Sequence, residues 1–209
     1  MSLAIDFDAL RDRLAYQPVS LGLFALVASA ALALAFDATR EHIAAAEQRD
    51  MQMSLAQVLP AGFADNDLLA DVRELSNAKG RPVKVHVAKQ AGIGVGAVFQ
   101  VAERGYAGDI VVLMAVDKDG RVLGARVLKH VETPGLGDKI EVARHPWIKS
   151  FDGKSLTDPA PEKWGVKKDG GAFDQFAGAT ITPRAVVKAV KGGLEFFAAH
   201  RAEILDGSQ

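Results

Sequence analysis

Residues 109–116 read DIVVLMAV and residues 121–128 read RVLGARVL, and the turn sequence Lys118-Asp119-Gly120 lies between them. An Asp-Gly pair between two apolar runs is a strong signal for a β-hairpin. This stretch therefore predicts two antiparallel strands, and the rest of the fold is built outward from them.

Two further strand candidates lie upstream of the hairpin. Val83, Val85 and Val87 alternate with other side chains, which is the period of a half-exposed strand. Residues 97–102 form the next candidate, after the glycine-spaced segment 92–96. We interpret that segment as a turn, because it has neither the third glycine of a dinucleotide-binding loop nor the Lys-Ser/Thr of a P-loop.

Short helices are predicted at residues 66–75 and 139–143, and a longer one begins near Thr182. Strands that pair as hairpins, together with helices, are typical of an α+β domain. We therefore expect a mainly antiparallel sheet with helices.

The N-terminal part of the chain predicts one membrane anchor. Residues 14–36 contain no charged side chain and are rich in alanine, and about 20 apolar residues cross a hydrocarbon core of roughly 30 Å. A cleaved signal peptide is the alternative, since Ala33-Leu34-Ala35 resembles a cleavage site. Arg11 and Arg13 precede the span, which favours a cytoplasmic N-terminus and places the large C-terminal body outside.

The predicted domain organisation has four parts. Residues 1–13 form a cytoplasmic tail, residues 14–36 the transmembrane anchor, residues 37–80 a helical connector, and residues 81–209 the extracytoplasmic domain. The connector starts with a helix that emerges from the membrane and stops at Pro60, because proline disrupts a helix interior.

Composition excludes several classes of function. The net charge is −1 and there is no basic block, which argues against a nucleic-acid surface. The chain has no cysteine, so disulfides, iron–sulfur clusters and thiolate metal sites are excluded. Its five histidines show no close pairing, and we expect no metal site. If the protein carries electrons, they must therefore be carried by an organic cofactor.

Two loops stand out as candidate binding elements. Residues 130–138 read HVETPGLGD, and this loop presents main-chain groups with little side-chain bulk, as recognition of the edge of a planar heterocycle requires. Residues 174–183 read DQFAGATITP, in which Thr182 suits a helix N-cap and Pro183 the first helical position. A phosphate could bind against Thr180 at this helix start. Taken singly, each loop also fits an ordinary connection.

Together these loops resemble those of a known family. The motif ETPGLGD, followed by KKDGG and FDQFAGATIT, resembles the G subunit of Rnf electron-transport complexes. The C subunit of the sodium-translocating NADH:quinone reductase is a more distant relative. The resemblance covers essentially the whole chain. It implies an electron-carrying subunit of a redox-driven complex that transfers electrons between ferredoxin and NAD, coupled to transport of H⁺ or Na⁺.

The resemblance also implies a covalent flavin and its surroundings. Thr180 would carry FMN through a phosphoester bond, and Gly178, Ala179 and Thr182 would surround the phosphate. The residues that would line the isoalloxazine are Glu132, Thr133, Leu136 and Gly137. Lys168, or its neighbour Lys167, would place positive charge near the flavin, and Asp174 would position the loop or assist attachment. Ala177 departs from the motif, which usually has Ser or Thr there.

The implied partners are the other membrane subunits and a flavin transferase, and the implied location is the inner membrane with the flavin domain on the periplasmic side. No catalytic acid, base or nucleophile is predicted. Two alternatives stay open at this point, a quinone-reductase C subunit and an anchored scaffold domain without flavin.

Overall fold

The structure is a computed structural model that describes residues 16–78 and 80–206. The first helix, α1, runs from Tyr16 to Val58 and contains the described part of the predicted anchor. It is the one helix among the described residues that is long and apolar enough to cross a membrane. The helix stops just before Pro60, as predicted. The predicted tail 1–13 and the start of the predicted anchor lie outside the described residues.

Five strands form one sheet in the order β1-β2-β3-β4-β5, and every neighbouring pair is antiparallel. The strands are β1 (Val72–Ser76), β2 (Pro82–Gln90), β3 (Ile93–Arg104), β4 (Asp109–Asp117) and β5 (Val122–Lys129). The predicted hairpin is confirmed as β4 and β5. The α+β class is confirmed as well, with the second long helix, α2, at Ile181–Asp206.

Helix α2 packs on one face of the sheet, chiefly on β3 and β4. Val190, Leu194 and Phe197 of α2 are buried with Phe99 and Met114 of the sheet in the main core. Burial of side chains of this size is the main favourable contribution to folding.

The opposite face of the sheet is covered by the end of α1. Leu55 and Val58 are buried with Val98, Leu113 and Ala115 in a second core. Gly124 of β5 allows this approach, because a Cβ there would lie 2.6 Å from the Val58 carbonyl oxygen. The chain divides into two compact units between Asp50 and Met51, so the last turns of α1 belong to the unit that contains the sheet.

The helix predicted at residues 66–75 is wrong. Residues Val72–Ser76 form the edge strand β1, which pairs with β2. The preceding residues form turns, in which the Asn66 side chain donates to the Val87 carbonyl at 2.9 Å and accepts from the Lys89 amide at 2.8 Å. Pairing with the sheet therefore outweighs the local helical pattern.

Two smaller expectations also need correction. The turn near the glycine-spaced segment is confined to Ala91 and Gly92, while Gly94 and Gly96 lie within β3. A Cβ on Gly96 would lie 2.4 Å from the Val116 carbonyl oxygen. Glycine at this position therefore allows β3 and β4 to lie close together. The helix expected at 139–143 is a single 3₁₀ turn, Asp138–Ile140.

Candidate functional site

The loop after β5 is shaped by its backbone. The Thr133 carbonyl accepts hydrogen bonds from the amides of Leu136, at 3.2 Å, and Gly137, at 3.0 Å. Gly135 has a φ of 79°, a left-handed conformation that glycine adopts without strain. The turn leaves the Leu136 side chain 43% exposed, and an apolar group is thus presented at the surface.

The loop before α2 is anchored from inside the protein. Phe176 is buried, with its ring centroid 5.3 Å from that of Trp147. The Trp147 indole donates to the Asp174 carbonyl at 2.8 Å. Between these anchors and the helix, the Ala179 amide donates to the Phe176 carbonyl at 3.2 Å, and Gly178 turns the chain with a φ of 80°. Gly178 is exposed, and its small neighbour Ala179 is half-buried.

Helix α2 begins at Ile181, so Thr180 precedes its first residue. The Thr180 carbonyl accepts from the Arg184 amide at 3.3 Å, as the residue at an N-cap position does. Within the described part of the chain, the Thr180 hydroxyl has no hydrogen-bond partner. The amides of Ile181 and Thr182 have no acceptor there either. A half-buried hydroxyl with no partner thus lies beside free N–H groups at the positive end of a 26-residue helix.

Thr182 does not occupy the N-cap position that the sequence predicts. It is the second residue of α2 rather than its N-cap, and only 1% of its surface is exposed. Its hydroxyl donates to the Glu132 carboxylate. Thr182 therefore joins the helix start to the loop after β5.

The Glu132 side chain is buried, with 4% exposure. It accepts hydrogen bonds from the Thr182 hydroxyl and from the amides of Tyr106, at 3.3 Å, and Ala107, at 3.0 Å. Burial alone raises the pKa of Glu132, but these bonds and one from the Gly108 amide outweigh it, and the pKa is lowered. Both carboxylate oxygens thus accept hydrogen bonds from within the protein.

The structure brings the two predicted loops together. A Cβ on Gly178 would lie 3.6 Å from Cδ2 of Leu136. A Cβ on Gly137 would lie 2.8 Å from Cβ of Glu132 and 3.0 Å from Oγ1 of Thr182. Two motifs that are far apart in sequence therefore form one surface.

The two candidate lysines differ in their surroundings. Lys167 forms an ion pair with Asp174 at 2.6 Å. This contact would help to position the loop that contains Asp174. The Lys168 amide donates to the Gln175 side chain at 3.1 Å. Its ammonium group forms no ion pair among the described residues, although its charge helps to lower the pKa of the neighbouring Asp169. Lys168 is thus the cation that remains available to a ligand.

Sequence reasoning missed two parts of this site. One is the β3–β4 turn at residues 105–108, whose amides hold Glu132. The other is His130, whose Nδ1 accepts the Glu132 amide at 3.1 Å while its Nε2 lies 2.6 Å from Glu141. A ring nitrogen that accepts from an amide carries no proton, so Nε2 is the donor to the Glu141 carboxylate. The spacing Gly105-x-x-Gly108 is the sequence signal that could have drawn attention to the turn.

These residues fit the binding of a flavin nucleotide. The free amides and the Thr180 hydroxyl suit a phosphate, the exposed Leu136 suits an apolar ring, and Lys168 suits an anionic cofactor. The fold and the site together thus define a flavin-binding domain. In agreement, residues 105–195 match the family model described as the FMN-binding domain.

Comparison with known proteins gives the particular family. The G subunit of the ion-translocating oxidoreductase complex of Cereibacter sphaeroides is 57% identical over 185 residues, which are 88% of this chain and 84% of that protein. Its counterpart in Stutzerimonas stutzeri is 50% identical over 186 residues, 89% of this chain and 82% of its own. The chain belongs to the family of G subunits of ion-translocating oxidoreductase complexes.

A solved structure is also similar, that of Shewanella oneidensis NqrC. It is 25% identical, and the match covers 69% of this chain and 76% of that one with a TM-score of 0.48.

Proposed function

We propose that this chain is the electron-carrying flavoprotein subunit of a membrane-bound, redox-driven ion-translocating complex of the Rnf type, with FMN joined to Thr180 by a phosphoester bond. The observation that carries the site assignment is the Thr180 hydroxyl, which is half-buried and without a partner among the described residues. The hydroxyl of Thr182, the other threonine of the motif, is already used by Glu132.

The surrounding residues have separable roles in this proposal. The amides of Ile181 and Thr182 hold the phosphate, and Gly178 with Ala179 allows it to approach the backbone. The backbone of residues 132–137 and the Leu136 side chain contact the isoalloxazine, and Lys168 favours negative charge on it. FMN, when bound, supplies reversible electron transfer, and the protein supplies its position and its surroundings.

The relatives' names support the proposed setting. They are subunits of ion-translocating oxidoreductase complexes, so we propose the other membrane subunits as partners and a flavin transferase for attachment. Electrons would pass between ferredoxin and NAD, coupled to H⁺ or Na⁺ transport. Residues 14–36 would anchor the chain in the inner membrane. Arg11 and Arg13 support a cytoplasmic N-terminus, so the flavin domain would lie on the periplasmic side.

Replacing the attachment residue tests the proposal. Thr180→Val removes the hydroxyl with almost no change in shape, and we expect complete loss of covalent flavin. The full chain, expressed with its flavin transferase, would be separated on a denaturing gel and its flavin fluorescence recorded. The wild type should give a fluorescent band and an added mass equal to FMN less one water.

Thr157→Val is the matched control, because Thr157 lies outside both loops and makes its side-chain contact with Ser155. This variant should keep the fluorescent band. Flavin that persists in Thr180→Val, bound at Thr182, would contradict the assignment. A wild-type chain that carries no flavin would contradict the proposed function itself.

A further inference from the structure

Glu132 lies where three segments of the chain meet. Its carboxylate accepts from the amides of the β3–β4 turn and from the Thr182 hydroxyl at the start of α2, while Glu132 itself belongs to the loop after β5. Successive backbone N–H groups of a turn form a concavity that binds anions. In this protein the concavity is filled by a side chain of the protein itself.

Glycine residues allow the three segments to approach one another closely. A Cβ on Gly105 would lie 2.6 Å from Oε1 of Glu132, and a Cβ on Gly108 would lie 2.1 Å from Cγ2 of Val131. Gly137 approaches Glu132 and Thr182 from the third side. With glycine at these positions, the turn, the loop and the helix start approach one another more closely than a larger residue would allow.

The geometry at the helix start links this junction to the attachment residue. Thr182 lies two residues after Thr180, and Pro183 follows it with a fixed φ. A bond that holds the Thr182 side chain therefore also restrains the first turn of α2 and, with it, the backbone at Thr180.

We infer that Glu132 is a positioning residue for flavin attachment, acting through Thr182 to set the Thr180 hydroxyl against the loop at residues 133–137. This inference rests on the proposed function. It assigns Glu132 a contact with the protein's own helix start instead of a side-chain contact with the isoalloxazine.

A carboxylate is specifically required at this position. Oε2 accepts from Thr182 and Tyr106, and Oε1 accepts from Ala107. A glutamine of the same shape would have to turn its NH₂ group toward an N–H or O–H donor. It would thus lose at least one bond and place two donors together.

The test measures the rate at which the full-length apoprotein, purified in detergent, acquires covalent FMN from a flavin dinucleotide in the presence of its flavin transferase. In this transfer the phosphoanhydride bond of the dinucleotide breaks as the Thr180 oxygen bonds to the flavin phosphorus, and the hydroxyl proton is released with the nucleoside monophosphate. We expect Glu132→Gln to lower the initial rate at least about tenfold, because a small misplacement of a reacting group costs this much or more. Thr182→Val should lower it similarly, and Thr182→Ser, which keeps the hydroxyl, should rescue it. The double variant Glu132→Gln/Thr182→Val should be slower than either single variant by less than the product of their effects, since both disturb the same junction of the turn, the loop and the helix start.

A stability control separates positioning from a general loss of structure. Leu75→Ala creates a cavity in the core at β1, the sheet edge opposite β5, and does not alter the loops. It should lower the melting temperature while the attachment rate stays at the wild-type value. If Glu132→Gln fails to fold, the inference is tested by comparing the attachment rates of Thr182→Val and Thr182→Ser.

The outcomes distinguish this inference from the proposed function. Attachment at the wild-type rate in Glu132→Gln or Thr182→Val would overturn the positioning role, as would an equal slowing in Leu75→Ala. The absence of flavin at Thr180 in the wild type would instead overturn the proposed function.

Discussion

At the scale of single residues, two threonines of one motif have different environments. The Thr182 hydroxyl is buried and bonded to Glu132, whereas the Thr180 hydroxyl is half-buried and has no partner among the described residues. A hydroxyl that already donates to a buried carboxylate is a poor candidate for esterification, because the change would remove one of that carboxylate's donors. The environment of each hydroxyl thus supports attachment at Thr180.

The charge of Glu132 predicts a dependence of stability on pH. Its pKa is lowered below the ordinary value of 4.5, so its charged form is favoured in the folded protein. This contribution is complete above the unfolded-state pKa and is lost as the pH falls through the folded-state pKa. We expect Glu132→Gln to lower the free energy of unfolding by about 1–3 kcal/mol near neutral pH, and the difference should shrink below pH 4.5.

Urea unfolding of both proteins across this range measures the effect, and Glu162→Gln, at an exposed position, controls for the loss of one carboxylate. A difference that grows as the pH falls would contradict the sign of the shift.

At the scale of secondary-structure elements, adjacent glycines of α2 have opposite surroundings. Gly192 is exposed, and a Cβ there would meet nothing within 4 Å. Gly193 faces the sheet, and a Cβ there would lie 2.3 Å from Sδ of Met114 and 3.0 Å from Cγ1 of Val101. Of these two glycines, only Gly193 is needed for α2 to pack closely on β3 and β4.

This pair gives a matched test of helix packing. Gly192→Ala should stabilise the protein by about 0.5–1 kcal/mol, because alanine favours the helix. Gly193→Ala should destabilise it by about 1–3 kcal/mol, because the added methyl group pushes the helix away from a filled core. Thermal unfolding of the two variants measures both effects, and equal shifts in the same direction would contradict the packing described here.

The sequence predicts those elements that have strong local signals. The β4–β5 hairpin follows from Asp119-Gly120, and the end of α1 follows from Pro60. The helix predicted at residues 66–75 is wrong for the edge strand β1, because Leu68, Val72 and Leu75 also fit a helical spacing and only pairing with β2 decides between the two. Local signals cannot report such pairing.

The candidate site, too, could be predicted only in part from local sequence patterns. Its two loops could be identified from their residues, and the structure brings them together. The bond between Glu132 and Thr182 joins residues 50 positions apart, and no local pattern encodes it. The prediction that Glu132 lines the isoalloxazine does not include this internal partner of its side chain.

At the scale of the whole molecule, the chain combines a candidate membrane span within Tyr16–Val58 with an FMN-binding domain. Its relationship to the G subunits extends over 88% of its length, well beyond the FMN-binding match. An electron carrier needs a cofactor held at a fixed position, and a covalent bond at the start of a long helix would provide that.

Peptide mass spectrometry of the protein purified from its native membrane tests the central claim most directly. Cleavage after Lys168 and Arg184 releases residues 169–184, which contain both Thr180 and Thr182. We predict that this peptide carries the mass of FMN less one water and that fragmentation assigns the added mass to Thr180. Modification at Thr182, or an unmodified peptide from a flavin-containing preparation, would contradict the account.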